Sequence, residues 1–375
     1  MITTIIKKIM EKNEQDELNL MNKRISRKKF LRTCGSIVAG GAVLGVSAVL
    51  IKDGANQKSI IANAFEGSQG KGSTGSQVSQ GKGSITRPAN EKAFSSPYKL
   101  TSSFSLPEQV DGLDLYGDKV FVACAGSVSV FDSYGKKLHQ FEVKNVVRDI
   151  AVNDDGVYLL HPTSIAVYSQ KGALLRNWAA CSELSDYCSF AIASGFVYAT
   201  DVANKNICQY TTEGGFVRFI DSPNRFIIPS YTFGIEHVDG VLFCSNPGRH
   251  QVEKYNLNGE YIGSFGRTGT APGYFTGCCN PVYLSYTVNG DIITSEKGDP
   301  RISCYSADGS FKNILLDREM LGGGNTAYDI KVKDDKIFVG GKKMVSVFLY
   351  DKALAMSSVC SDCATGCPMR EGVLS

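Results

Sequence analysis

Histidine is scarce in this 375-residue chain. Four residues leave few conventional zinc sites and little scope for a repeated general base. Tryptophan occurs once. There is no G-x-S-x-G elbow, P-loop or dinucleotide glycine fingerprint, and Gly322-Gly323-Gly324 reads as a loop rather than a phosphate cradle. The formal net charge is only +3, too small for a concentrated basic face, so nucleic acid is not an expected partner. No apolar run reaches the roughly 20 residues that span a bilayer. Long amphipathic helical patterns are also missing, which argues against an α/β enzyme. Cysteine, in contrast, is plentiful. Twelve are too sparse for a small disulfide scaffold and more than a reduced cytosolic enzyme usually needs.

The first 64 residues read as an export signal region. Lys23, Arg24, Arg27, Lys28, Lys29 and Arg32 precede the apolar run Ile37–Ile51, the order of a basic n-region and a short h-region. Met21 stands just ahead of the cluster and is an alternative start. Ala62-Asn63-Ala64 offers a small-x-small cleavage pattern; if it is not used, the segment stays as a membrane anchor. Ser26-Arg27-Lys28-Lys29-Phe30-Leu31-Arg32 resembles the twin-arginine export motif, with Lys28 in place of the second arginine. An ordinary Sec signal is the alternative. Residues 1–64 hold 11 of the 40 basic and 5 of the 37 acidic side chains, so the remainder carries 29 against 32, a net −3. The basic balance therefore belongs to the signal. Residues 65–97 form a Gly/Ser/Gln-rich linker with no periodic apolar face.

From residue 98 to 355 the chain repeats itself. Phe131, Tyr168, Tyr210, Tyr255, Tyr305 and Phe348 recur in similar strand patterns at spacings of 37, 42, 45, 50 and 43. Gly135, Gly172, Gly214, Gly259 and Gly309 follow four residues later; in the last copy the position is Lys352. This pattern predicts a strand, a tight turn and a second strand. Another strand precedes each copy, and one more between copies makes four per unit. A period of 37–50 residues with four short strands predicts an all-β, six-bladed β-propeller. Phe265-Gly266, Gly269, Pro272-Gly273 and Phe275, with Thr294–Phe311, resemble the NHL-repeat family, most specifically in the fourth and fifth copies. Tyr98–Phe104 resembles the outer strand Lys137–Phe141 and is expected to complete the last blade, removing exposed sheet edges.

The cysteines divide by position. Cys34 belongs to the signal. Cys124, Cys208, Cys244 and Cys304 occupy strand positions that suit core packing. Cys181 and Cys188, seven apart between strands, are candidates for a disulfide in an exported protein. Cys360-x-x-Cys363-x-x-x-Cys367-Pro368, in the tail 356–375, matches the last three positions of the bacterial ferredoxin run C-x₂-C-x₂-C-x₃-C-P, with Ser357 at the missing first position. The adjacent Cys278-Cys279, in the loop opening the fifth blade, is the candidate source of the fourth thiolate. These five cysteines are expected to hold an iron–sulfur cluster, or alternatively zinc. Disulfides among them or free thiols are the metal-free alternatives. If Ala353–Val359 runs as an outer strand, the tail returns to the face that carries Cys278.

Other candidates carry less. Glu296–Arg301 reads as a solvated charged hairpin. His161, His237 and His250 fall in three different blades and read as surface or core histidines. Asp149, Asp201, Asp239 and Asp329 read as turn hydrogen-bonders. The expected function is that of an exported binding or electron-transfer module in the periplasm or cell envelope, with a protein or redox partner on a propeller face. Membrane contact is expected only through an uncleaved anchor. The alternatives are a disulfide-stabilised interaction scaffold and a propeller lyase or lactonase with a central-channel metal.

Overall fold

The computed structural model describes residues 94–355. The signal region, the linker through residue 93 and the tail 356–375 lie outside the described residues. Among the described residues no helix is long and apolar enough to cross a membrane.

In chain order the strands are β1 (Tyr98–Tyr116), β2 (Lys119–Cys124), β3 (Ser127–Asp132), β4 (Lys137–Glu142), β5 (Asp149–Asn153), β6 (Gly156–His161), β7 (Ser164–Tyr168) and β8 (Leu174–Ala179). There follow β9 (Tyr187–Ala193), β10 (Phe196–Asp201), β11 (Asn206–Thr211), β12 (Phe216–Ile220), β13 (Ile235–Val238), β14 (Val241–Asn246), β15 (Gln251–Asn256) and β16 (Tyr261–Phe265). The last are β17 (Tyr283–Tyr286), β18 (Ile292–Ser295), β19 (Ile302–Tyr305), β20 (Phe311–Leu316), β21 (Asp329–Lys333), β22 (Lys336–Gly340) and β23 (Lys342–Tyr350). They form antiparallel meanders: β5–β8, β9–β12, β13–β16 and β17–β20 are separate four-stranded sheets. A seven-stranded sheet, β21-β22-β23-β1-β2-β3-β4, bends within β1. The first part of β1, Tyr98–Gln109, pairs with β23, and the second part, Val110–Tyr116, pairs with β2. Innermost strands touch in the cyclic order β1, β5, β9, β13, β17, β21 and back to β1. This is the blade arrangement of a β-propeller.

Burial along each sheet follows from its two-sided packing. Middle strands such as β6 (GVYLLH) are buried at every position, because both faces meet a neighbouring sheet. Outer strands such as β8 (LLRNWA) are exposed or half-buried along their length. The repeated glycine has its cause at the seam between sheets. Gly135, Gly172, Gly214, Gly259 and Gly309 all have positive φ. Each also sits against a side chain of the preceding outer strand: Phe104, Phe141, Trp178, Ile220 and Phe265 in turn. A Cβ at Gly135 would lie 2.8 Å from the Phe104 ring. In the NHL-like segment, Gly266 leaves room for the Phe275 ring and Gly273 for Phe311.

Inner strands all start on one face of the disc, here the top. The β18–β19 turn is also on top, since Tyr283 at the start of β17 pairs with Ser295 at the end of β18. Glu296 and Arg301 in that turn are buried and ion-paired at 2.7 Å, so the expected solvated hairpin is instead a buried salt bridge. Arg301 also donates to the Tyr274 carbonyl, and Thr276 N–H donates to Glu296 at 3.2 Å. The pair thus pins the loop that carries Cys278 and Cys279.

Gly309 combines φ +100° with contact to the Phe265 Cβ. Gly298 has φ +85° and open space around it. Gly309→Ala is expected to cost about 2–4 kcal/mol and Gly298→Ala only about 1 kcal/mol. Urea unfolding of the two variants checks this; equal losses would mean that φ, not the seam contact, selects the glycine.

Candidate functional site

Carboxylates line the channel where the inner strands meet, and their first task is structural. Asp329 at the start of β21 accepts the Leu113 N–H of β1 at 2.7 Å. Asp114 of β1 accepts the Val152 N–H of β5 at 2.6 Å. Asp149 of β5 accepts Ser189 Oγ at 2.7 Å and the Phe190 N–H of β9 at 3.2 Å. Each carboxylate thereby latches its strand to the next. At other seams hydroxyls do this: Thr200 Oγ1 donates to the Phe233 carbonyl at 2.6 Å, and Ser295 Oγ accepts the Tyr328 N–H at 3.1 Å. Asp149 and Asp329, expected as turn residues, are therefore inter-blade latches. Asp201 does serve a turn, accepting the Ala203 and Asn204 N–H groups at 3.0 Å.

Lys331 on β21 is the cation among these acids, with Nζ 3.1 Å from Glu236 and 3.9 Å from Asp114. Burial opposes its charge, but Glu236, Asp114, Asp329 and Asp149 together hold its pKa well above the usual lysine value. One lysine cannot neutralise four carboxylates. Burial raises Asp114 to about 6. Burial and the charge of Asp149 raise Asp329 to about 8, and burial raises Asp149 too, so the two acids together hold on to a proton more tightly than free carboxylates.

Above the latches the channel opens on top into a cavity of about 180 Å³. Asp111, Arg148, Cys188, Thr232, Tyr231 and Tyr283 contribute to its wall. Burial pushes the Cys188 thiol up to about 12, and its Sγ lies 3.6 Å from the Tyr231 carbonyl. Burial, ahead of any neighbouring charge, pushes the Tyr283 phenol pKa up. Asp111 is raised by burial, with an Ala125 backbone hydrogen bond and the Arg148 charge working against the rise. The cavity thus presents the Arg148 guanidinium, 3.8 Å from Asp186, with two carboxylates, Asp111 and the latch residue Asp149, among neutral hydrogen-bonding groups. No motif announces these residues. They come from five separate copies of the repeat, at positions where the copies differ.

Of the five cysteines proposed as metal ligands, the described residues contain two. The Sγ atoms of Cys278 and Cys279 are 3.0 Å apart, Cys278 exposed and Cys279 buried. Lys297 Nζ donates to Ser230 Oγ at 2.7 Å beside them. Burial opposes ionisation of Cys279, yet hydrogen bonds from Ser230, Cys278 and Lys297 hold its thiol below the usual range. Asn280 fixes the loop, donating to Thr276 O at 2.7 Å and accepting the Lys297 N–H at 2.9 Å. Cys360, Cys363 and Cys367 lie outside the described residues. Among the described residues no group of three or more His, Cys, Asp or Glu side chains is arranged to hold a metal ion. The outer-strand place beside β23 is filled by β1, so Ala353–Ala355 does not run as an outer strand; 352–355 is a helical turn. Tyr350 N–H bonds to Asp335 O at 2.8 Å, which puts the end of β23 on the bottom face, opposite Cys278.

The remaining cysteines and histidines are also placed. Cys124, Cys208, Cys244 and Cys304 are buried in the sheets. Cys181 does not face Cys188 as expected; its Sγ lies 3.4 Å from that of Cys208. His161 Nδ1 contacts the Val146 carbonyl at 2.8 Å, His237 Nε2 accepts the Gly240 N–H at 3.1 Å, and His250 Nε2 contacts the Gly277 carbonyl at 2.6 Å. All three are engaged by backbone, and they occupy two blades rather than three, since His237 and His250 both belong to the β13–β16 unit.

No protein-family model matches the chain, and no curated protein matches it. Among solved structures it is similar to a protein of unknown function from Bacteroides thetaiotaomicron, at 13% identity and a TM-score of 0.51 over 67% of this chain and 75% of that one. It is also similar to a virginiamycin B lyase from Staphylococcus aureus, at 14% identity and a TM-score of 0.49 over 67% of this chain and 99% of that one. The WD40 domain of Neurospora crassa Pan2 aligns at 9% identity and a TM-score of 0.44 over 68% and 95%. The likeness to the Bacteroides protein is one of fold alone, and it agrees with the ring of antiparallel sheets described above: the chain is a β-propeller.

Because folding raises the Asp329 pKa, the native state keeps a proton that the unfolded chain releases. Stability therefore falls as pH rises from the ordinary carboxylate range to about 8. Asp329→Asn keeps an acceptor for the Leu113 N–H and cannot ionise. Its stability relative to wild type is expected to rise by about 2–4 kcal/mol over that interval. Urea midpoints at stepped pH check this, and parallel curves would refute it.

Proposed function

We propose that this propeller, six-bladed and NHL-like, is a binding module. Its working surface is the top mouth of the channel, and its ligand is a small molecule carrying both a cation and an anion, such as a free amino acid. One observation carries the reading: a cavity of about 180 Å³ places Asp111 and Arg148 in one space with Tyr231 and Tyr283. A carboxylate attracts an ammonium group, a guanidinium receives a carboxylate in a bidentate fork, and aromatic walls exclude water. A lyase or lactonase has less support. The deeper carboxylates are occupied by backbone N–H groups of the next blade, and the three histidines each meet a backbone group. Calorimetric titration of the full chain with glycine, serine, leucine and lysine tests the reading. At least one should bind saturably and lose about 10-fold in affinity in Asp111→Asn and in Arg148→Gln. No saturable heat, or affinity unchanged in both variants, would overturn it.

A second reading is supported by the Cys278–Cys279 pair, 3.0 Å apart with one thiol depressed. Metal ligands bind as thiolates, so this pair has the chemistry of part of a four-thiolate site. Cys360, Cys363 and Cys367 would supply the rest, holding an iron–sulfur cluster or zinc for electron transfer to a protein partner in the periplasm or cell envelope. Iron, sulfide and zinc analysis of anaerobically purified protein should give about one cluster or one zinc per chain. The metal should be lost in Cys279→Ser and in Cys363→Ser. Less than about half an equivalent of both iron–sulfur cluster and zinc would sink this reading.

A further inference from the structure

Cys181 lies in the loop from β8 to β9, which carries the chain from one sheet into the next. Cys208 lies within β11 of that next sheet. Their Sγ atoms are 3.4 Å apart, Cys208 fully buried and Cys181 half-buried. Two phenols complete the pocket. Tyr210 Oη accepts the Cys181 N–H at 2.7 Å and lies 2.5 Å from Tyr187 Oη, which is itself 3.9 Å from Cys181 Sγ. A half-buried cysteine at the edge of the core, a fully buried one beside it and a wall of O–H groups make the arrangement of an attacking thiol and its resolving partner.

We propose that Cys181 and Cys208 are a redox-active dithiol that closes to a disulfide across the seam between the β5–β8 and β9–β12 sheets, by exchange with a small-molecule or protein disulfide. The Cys181 thiolate attacks one sulfur of the incoming disulfide, forming a mixed disulfide and expelling one thiol. Cys208 then loses its proton and attacks the Cys181 sulfur, expelling the second thiol. Two electrons pass from the pair to the donor disulfide, and its two halves leave as thiols. Hydrogen bonds from Cys208, and after it from Tyr210 and Tyr187, support the first step by lowering the Cys181 thiol to about 6 against the effect of its burial. Tyr187 also lines the mouth cavity, so it belongs to both sites. The proposal goes beyond the ligand-binding reading and does not depend on it.

The test uses the full chain, oxidised glutathione as the donor, alkylation of remaining thiols, and peptide mapping without reduction. The expected product is a Cys181–Cys208 cross-linked peptide with Cys188 alkylated. Oxidation should raise the melting temperature by about 5 °C or more, since the bridge closes a loop of moderate length. Cys188→Ser should behave like wild type. In Cys208→Ser the second step has no nucleophile, so Cys181 should retain glutathione as a mixed disulfide. Cys181 and Cys208 both alkylated after oxidation, or Cys181 joined to Cys188, would overturn the proposal. The wild-type map decides the matter even if Cys208→Ser does not fold.

Discussion

No sheet of this protein can cover its own apolar faces, and that constraint organises the rest. Each four-stranded unit is buried only because the next one lies against it, and the contact is made at a fixed place. The turn closing a third strand into a fourth rests on a large side chain from the preceding outer strand. At Gly214 that side chain is Trp178, the sole tryptophan, and at Gly309 it is Phe265. A side chain on the turn would hold the sheets apart, so the glycine is selected twice, by its φ and by its neighbour. At the inner edge the seams are polar, because the strand amides there would otherwise face a narrow channel. Asp329, Asp114 and Asp149 answer that need in succession around the ring.

The latches settle which part of the channel is available for binding. A buried carboxylate that already accepts a backbone amide has little capacity left for a substrate, and Lys331 is held by Glu236 and Asp114. The cavity lies instead at the top, where the inner strands begin and the loops between sheets gather. There the channel widens into the Asp111–Arg148 cavity. The Cys278–Cys279 loop and the Cys181 loop occupy the same face, each braced differently: one by the Glu296–Arg301 ion pair, the other by two tyrosine hydroxyls. Rigid sheets carrying variable loops on one face suit binding functions in general.

The fold was legible because its determinants repeat. Six aromatic residues with a glycine four positions after five of them expose the strand–turn–strand unit without any knowledge of contacts. The closing role of Tyr98–Phe104 was legible for the same reason, as a stray copy of an outer strand, and the structure extends it to Gln109. The site was less legible because it depends on what does not repeat. Asp149 and Asp329 look like turn acids until the channel places them beside backbone amides of the next strand. Glu296 and Arg301 look solvated until the Tyr274–Thr276 segment folds over them. Cys181 has a partner seven residues away in sequence, yet the structure offers it one 27 residues away, because β11 turns back beneath the loop. A spacing of seven pairs two cysteines only where the chain between them turns back on itself, and here it crosses from one blade to the next.

The bend in β1 has a consequence of another kind. A single strand belongs to two sheets, and its first half finds its partner in β23, some 250 residues later, with Lys99 opposite Leu349. Contacts that distant form late, since the chain between them must first be ordered. During synthesis Tyr98–Gln109 therefore waits as an unpaired edge until the last sheet has emerged, exposed to pairing with other chains. Joining β1 to β23 turns a row of sheets into a closed body, so this one junction acts as the clasp. Mechanical pull or thermal fraying that opens it would release the sheets in sequence rather than all at once.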